Sequence, residues 1–404
     1  MSASSPPPSL PGLVGPATPT TDRETHVDFW HQRQPPANRD DGAAAEDRVA
    51  VASNWTLVWW RFRKHRLALI SAGFLICMYL IVLCPAFFST QNPERTDARQ
   101  AFIPVQTLHF WDDGLNPWVP AIAGKRNPVT LRMEWTTDPH RKVRVGFFIR
   151  GEPYRVLGLF ETNIHLLGAA DPAQRIFLLG SDRLGRDQWS RIMSGTQTSM
   201  TVGLVAVTLS VTFGVVLGGI SGYFGGLLDQ VIQRLIELLQ SVPTIPIWLA
   251  LSAALPRDWT PIQVFFAITV ILSLVGWTTL GREVRGRFLA LREEDFVLAA
   301  RLAGCSRMRI ILRHMVPTFL SHIIATSSLA IPVMIINETS LSFLGLGIRP
   351  PAISWGVLLQ EAQNIQTLAL APWLLIPGLV VIVVVLAFNL VGDGLRDASD
   401  PYSQ

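Results

Sequence analysis

The sequence predicts an all-α polytopic membrane protein with six spanning helices, and three observations predict it. Of 404 residues, 49% are hydrophobic and only 16% charged, against about 25% charged in soluble domains. Apolar runs of about 20 residues, the length that crosses a bilayer as a helix, recur along the chain. The basic residues stand beside those runs, where they set membrane orientation, and the net charge of +4 is modest. The lipid bilayer is the expected partner, and no nucleic acid is.

Residues 1–50 are polar and Pro-rich, without the basic and apolar regions of a signal peptide, and read as a disordered cytoplasmic tail. Residues 51–66 read as an amphipathic elbow helix on the inner surface, with Trp55, Trp59 and Trp60 as interfacial aromatics. Arg61, Arg63, Lys64 and Arg66 hold that end inside, and residues 67–88 form the first span. Residues 89–195 hold no span and read as an extracytoplasmic insert containing β structure. Val143, Val145, Phe147 and Ile149 alternate as a strand, Gly151-Glu152-Pro153 reads as a turn, and Tyr154, Val156 and Leu157 return. Five further spans follow, at 200–222, 232–255, 261–280, 317–337 and 372–391, in a core of 196–395. Six spans return the tail 396–404 to the cytoplasm, so both termini are expected inside. The loop 281–316 then lies inside too, and its eight Arg against four acids agree.

Several residues at span level stand out. Gly214, Gly218, Gly222 and Gly226 recur every four residues on one helix face, which permits close helix approach. That face serves packing within the chain or a contact between subunits, and its last glycines belong in part to a turn. Glu237 lies in the third span, Glu338 at the outer end of the fifth and Asp393 just past the sixth. Glu237 reads as a structural or cavity-facing group, or as part of a transport path, and Glu338 as a helix-end residue; Glu237, Pro243 and Glu338 are the candidate pathway or cavity residues. Pro243 and Pro246 break the third span and free backbone groups there.

The sequence holds no phosphate loop, metal-ligand spacing or nucleophile elbow, so no catalytic residue, metal or cofactor of its own is expected. Cys77, Cys84 and Cys305 form no disulfide framework. Driven transport would draw energy from elsewhere.

The loop 281–316 has the form of a docking device. Glu293, Glu294 and Asp295 open a helix, complementing its N-terminal dipole. Ala299, Ala300 and Ala303 make a slim surface that fits a groove, and Gly304 ends the helix. Arg307 to His314, including Arg309, form a basic amphipathic segment with Met308, Ile311, Leu312 and Met315 as its apolar side. Pro317 restarts a helix at the membrane. A loop simply held by lipid headgroups is the alternative reading.

Ala299-Ala300, Gly304 and Val316-Pro317 resemble the cytoplasmic loop of ABC-importer permeases, with Leu298 where the family often has Glu and His314 where it has Ile. The resemblance extends over about 180 to 401. Gly180-Ser181-Asp182-Arg183-Leu184-Gly185-Arg186-Asp187, Gly222-Tyr223-Phe224-Gly225-Gly226 with Asp229, Ser241-Val242-Pro243, Glu338 to Gly347 and Asn389 to Asp397 are similar to segments of dipeptide/oligopeptide permeases. It implies the type I ABC-importer permease fold and a C-type permease in a bacterial inner membrane. It implies a homologous B-type permease, two cytoplasmic ATPases that bind ATP and Mg, and an extracytoplasmic binding protein as partners. The helix around Ala299 to Gly304 would sit in a groove of one ATPase. An ion-coupled secondary transporter and a membrane-anchored receptor are the other readings. The substrate stays open among dipeptides, oligopeptides, peptide antibiotics, nickel and some sugars.

Overall fold

Helix α1 (Asn54–Phe62) leads into α2 (Arg66–Leu83), whose first turn is capped by His65 Nδ1 accepting from the Ala68 amide at 3.2 Å. Of its eighteen residues α2 buries only Ala68, Ser71, Leu75 and Ile81. A helix apolar all round that leaves most of itself uncovered suits lipid rather than water. The computed structural model describes residues 54–399, apart from 112–114, 130–132 and 257. The expected tail 1–50 and residues 400–404 lie outside the described residues. Pro85 then opens a short helix, α3 (Pro85–Phe88).

The insert carries a four-stranded antiparallel sheet in the order β1-β2-β3-β4: His109–Trp111, Leu115–Arg126, Met133–Val156 and Phe160–Ala169. Val119, Val143 and Val145 pack with Ile176 as its core. Strand β3 pairs with β2 through its first part and with β4 through its second. The expected hairpin is present, but its turn is not at Gly151-Glu152-Pro153. Those residues form a bulge in β3, where Arg150 faces Ile164 and Tyr154 faces Thr162. The chain turns at Leu157–Leu159, with Leu157 and Gly158 both at positive φ (50° and 73°). Proline cannot donate to a ladder, so Pro153 is accommodated where pairing lapses, and Gly158 takes the left-handed position.

The insert ends sooner than expected, because helix α4 (Gln188–Phe224) starts at Asp187, which accepts from the Ser190 amide. Gly225 stops α4 at φ 65°. Helices α5 (Gly226–Ser241) and α6 (Thr244–Ala253) meet at 89°, with the break at Val242-Pro243. Helix α7 (Pro261–Leu291) opens on a Thr260/Gln263 capping box with Pro261 in its first turn, and runs eleven residues past the expected end at 280. Helix α8 (Asp295–Leu302) follows. Helix α9 (Arg307–Phe343) widens to π-helix at Ile310–Met315 and tightens to a 3₁₀ turn at Val316–Phe319. Pro317 therefore does not restart a helix; it is absorbed inside a continuous one. Two short helices, α10 (Trp355–Glu361) and α11 (Ile365–Leu370), precede α12 (Ile376–Ser399), which carries the expected tail on as helix through Arg396.

Among the described residues five helices are long and apolar enough to cross a membrane: α2, α4, α7, α9 and α12, the last with its preceding 3₁₀ turn. The bent pair α5–α6 makes a sixth if it is one span.

The glycines on α4 explain how the bundle closes. A methyl on Gly214 would press on Leu280, one on Gly218 on the Gly281 carbonyl, and one on Gly222 on the Phe288 Cβ at 2.6 Å and the Arg285 carbonyl oxygen at 2.7 Å. All three face α7, so this face packs inside the chain. Gly226 meets nothing within 4 Å and sits at φ 60°, as part of the turn into α5.

Candidate functional sites

At one end of the bundle α8 rests on the core through Val297 and Ala300, which join a cluster with Tyr223, Phe288, Ile310, Ile311 and Met315. Ala300 thus anchors the helix instead of belonging to its outward face. Leu298, Ala299, Leu302 and Ala303 point outward, and Leu302 is 90% exposed. Glu294 is the N-cap residue and Asp295 lies in the first turn. Gly304 at φ 76° closes α8, with the Cys305 amide donating to the Ala300 carbonyl at 3.1 Å and the Gly304 amide to Arg301 at 3.1 Å. These are the two bonds of a Schellman cap, which only a left-handed residue closes.

The following segment presents a different face from the one its 3.6-residue period predicts. Ile310, Ile311 and Met315 are buried, whereas Met308 and Leu312 are exposed. In the π stretch residues five apart align, which brings Ile310 and Met315 onto one side. Arg309 is exposed, its amide donating to the Ser306 cap at 3.4 Å.

The turn between α4 and α5 touches this segment. Arg301 of α8 lies over the Tyr223 ring at 5.7 Å and Arg307 over Phe224 at 5.3 Å. Asp229 accepts from Arg285 Nε at 2.6 Å and Nη2 at 2.7 Å and also from Ser221, tying that turn to α7. Arg285→Ala leaves a partly exposed carboxylate with Ser221 as its partner, and the expected loss is about 1 kcal/mol. A lower thermal midpoint of the purified protein would register it; an unchanged midpoint would show the fork to be dispensable.

In mid-bundle α4, α7, α9 and the end of α5 with α6 surround a cavity of about 620 Å³. Ser210, Gln240, Thr244, Thr278, Ser327 and Asn337 are among its polar groups, and among the described residues no charged side chain lines it. Glu237 is not in that lining; it is exposed on α5 and pairs with Arg234 at 2.7 Å. Pro243 sits just before Thr244 and sets the bend that brings Thr244 to the cavity.

Glu338 is fully buried, and α9 runs past it to Phe343, so it is no helix-end residue. It accepts from Ser199 of α4 at 2.9 Å and from Ser342 at 2.7 Å. Ser199 Oγ in turn accepts from the Trp355 amide at 3.1 Å, joining α4, α9 and α10.

At the other end Asp182 accepts from the amides of Leu184 (2.8 Å) and Arg186 (3.0 Å), from Arg186 Nε (2.6 Å) and from Arg191. Arg186 and Arg191 also reach Glu361 of α10, at 2.6 and 3.2 Å. Two acids and two arginines form a neutral buried cluster that fastens the insert's return loop to α4 and α10. Asp187 is wholly buried, which pushes its carboxyl above the usual range against the pull of Ser190 and Thr90. Sequence reasoning found the segment from Gly180 to Asp187 but missed Arg191, Ser199 and Glu361. Nothing local marks Glu361, whose partners lie 170 and 175 residues away.

Residues 214–402 match the family described as binding-protein-dependent transport system inner membrane component, and residues 53–104 match the N-terminal TM domain of oligopeptide transport permease C. The oligopeptide transport system permease protein OppC of Salmonella typhimurium is 40% identical over 243 residues, which are 60% of this chain and 78% of that protein. The chain belongs to this family of ABC-importer permeases. OppC of Bacillus subtilis is 35% identical over 238 residues, covering 59% of the permease described here and 75% of its relative. A solved chain of the inward-facing MetNI methionine ABC transporter is similar at 15% identity and TM-score 0.39, over 51% of this permease and 95% of that chain. The permease is thus a multi-pass membrane subunit of an importer, and in its family ATP hydrolysis belongs to other subunits.

Proposed function

We propose that this chain is the C-type permease of a peptide importer in a bacterial inner membrane. It pairs with a homologous B-type permease, two cytoplasmic ABC ATPases that bind ATP and Mg, and an extracytoplasmic binding protein. It crosses the membrane six times, with α5–α6 as the bent third span, both termini inside and the sheet-bearing insert outside. Helix α8 is the piece that enters an ATPase groove, and the mid-bundle cavity is this chain's share of the path.

The observation that carries this reading is the two-sidedness of α8. Val297 and Ala300 hold it to the core, while Leu302 stands 90% exposed beside the small side chains of Ala299 and Ala303. An apolar helix face uncovered at the end of a membrane bundle fits a partner's groove. Glu294, Asp295, Gly304, Arg309 and Pro317 shape and border that piece. The cavity supports the substrate class. Hydroxyl and amide groups without fixed charge pass peptides of differing side chains, leaving selection to the binding protein.

Leu302→Asp tests the docking. The side chain touches little of its own chain, so the permease should fold and reach the membrane normally. A charge placed in an apolar groove should cut ATPase co-purification and ATP-driven uptake at least about tenfold. Full uptake with normal ATPase recovery would refute the role of α8.

A further inference from the structure

Both family matches leave residues 105–213 uncovered, so the sheet is not explained by membership. Its β3–β4 hairpin ends in an apolar tip. Leu157, Leu159 and Phe160 are 62%, 75% and 72% exposed there, and Phe148, back along β3 between the Phe147–Leu167 and Ile149–His165 pairs, is 66% exposed. Phe148 and Leu157 hold left-handed φ of 52° and 50°, which side-chain-bearing residues adopt at a cost. Exposed apolar side chains on strained backbone point to a surface that something covers.

We propose that this tip is seated in the outer leaflet of the bilayer, beside α2. The position of α2 carries the proposal. Its eighteen residues span about 27 Å, close to the hydrocarbon thickness of about 30 Å. Arg66 and the basic residues before it mark one boundary, so Leu83 and the start of α3 mark the other. The tip lies at that level. Tyr154 to Gly158 share a cavity of about 230 Å³ with Leu83, Cys84, Pro85, Ala86 and Gln197. Gln197, three residues before the expected apolar span of α4, donates to the Val82 carbonyl at 3.0 Å.

The uncovered side of α2 continues into the tip. Ile76, Leu80 and Leu83 are exposed at helical spacing on one face, and Leu83 abuts the hairpin cavity. This is a lipid-facing stripe, and the tip extends it sideways. The hairpin is also held there. His165 of β4 has Nδ1 at 2.8 Å from the Ala86 carbonyl and Nε2 at 3.0 Å from the Glu152 carbonyl, and the Phe148 and Phe87 rings lie 6.2 Å apart. Arg155 and Glu161, paired across the strands and exposed, stand where headgroups meet such an apolar tip.

The proposal rests on the insert being outside, and two separate labelling experiments distinguish the two claims. With Cys77, Cys84 and Cys305 replaced by Ala, Thr107→Cys reports sidedness through an impermeant thiol reagent on intact cells. Leu159→Cys and, independently, Phe160→Cys carry a polarity-sensitive fluorophore in the importer complex in phosphatidylethanolamine–phosphatidylglycerol nanodiscs. Both side chains are largely exposed, so neither replacement opens the core. The tip labels should be blue-shifted, quenched by shallow spin-labelled lipid, and quenched by iodide several-fold less than a label at 107. Iodide quenching equal to that at 107 would overturn the proposal by placing the tip in water. Protection from both quenchers would overturn it by showing a protein cover.

Discussion

Gly218→Ala should cost the permease several times what an alanine costs elsewhere on the same helix pair, and Gly218→Val should abolish the folded form. The added Cβ would land on the Gly281 carbonyl, with the Gly281 Cα and the Val284 Cβ each only 3.0 Å away. Two of these neighbours are backbone, so no rotamer change relieves the overlap. Helices α4 and α7 must separate along their whole glycine face. Overpacking of this kind costs about 1–3 kcal/mol and more where backbone must move. Gly286→Ala is the control. It lies in α7 with nothing within 4 Å of the added methyl, and helix propensity alone favours alanine there by up to about 1 kcal/mol. Thermal midpoints of the purified variants decide the matter. If Gly218→Ala melts with Gly286→Ala, the close crossing of α4 and α7 is not what holds the bundle.

Arg191→Met should be the most damaging single change at the insert end of the bundle. Arg191 and Asp182 are 1% and 0% exposed, and Arg191 alone reaches Asp182 from inside α4. Removing one member of a buried ion pair typically costs about 3–5 kcal/mol, because the other charge stays buried. Arg186 still touches Asp182, which sets the lower half of that range as the expectation. Arg191→Lys should rescue poorly, since one ammonium cannot hold Asp182 and Glu361 with the two arms that guanidinium offers. Glu361→Gln should be milder, because Glu361 is partly exposed and both arginines keep Asp182. Proteolysis at the 180–187 loop would report the loosening. Equal resistance of Arg191→Met and the parent chain would show that the cluster does not hold the insert down.

The long apolar helices were legible because a bilayer imposes a length and a composition that neighbours cannot override. The bend at Pro243 was legible for a similar local reason, the missing amide. Helix ends were less so. Hydropathy sees only the lipid-crossing part of α4, while the helix begins at Asp187 among buried polar residues. The hairpin turn was misplaced because Gly151 and Pro153 carry stronger turn chemistry than Leu157-Gly158-Leu159, and pairing with β4 decided otherwise. On α8, composition identified the slim helix, but which alanine faces inward depends on Tyr223 and Phe288 from distant helices. Glu338 stands near an expected span end, which in sequence marks a helix terminus. Its partner Ser199 lies 139 residues away, a pairing with no local trace.

One feature of the bundle bears on how such a subunit can work. Helix α4 is unbroken over 37 residues, about 55 Å of α-helix. Its first turn is gripped by the Asp182 cluster, and its last two aromatics lie under Arg301 and Arg307. It is therefore one continuous element that ties the α8 end of the bundle, at Tyr223, to the Asp182 cluster, at Arg191. If that helix moves as one body, a shift at Tyr223 is also a shift at Arg191, and the two ends of the bundle cannot rearrange independently.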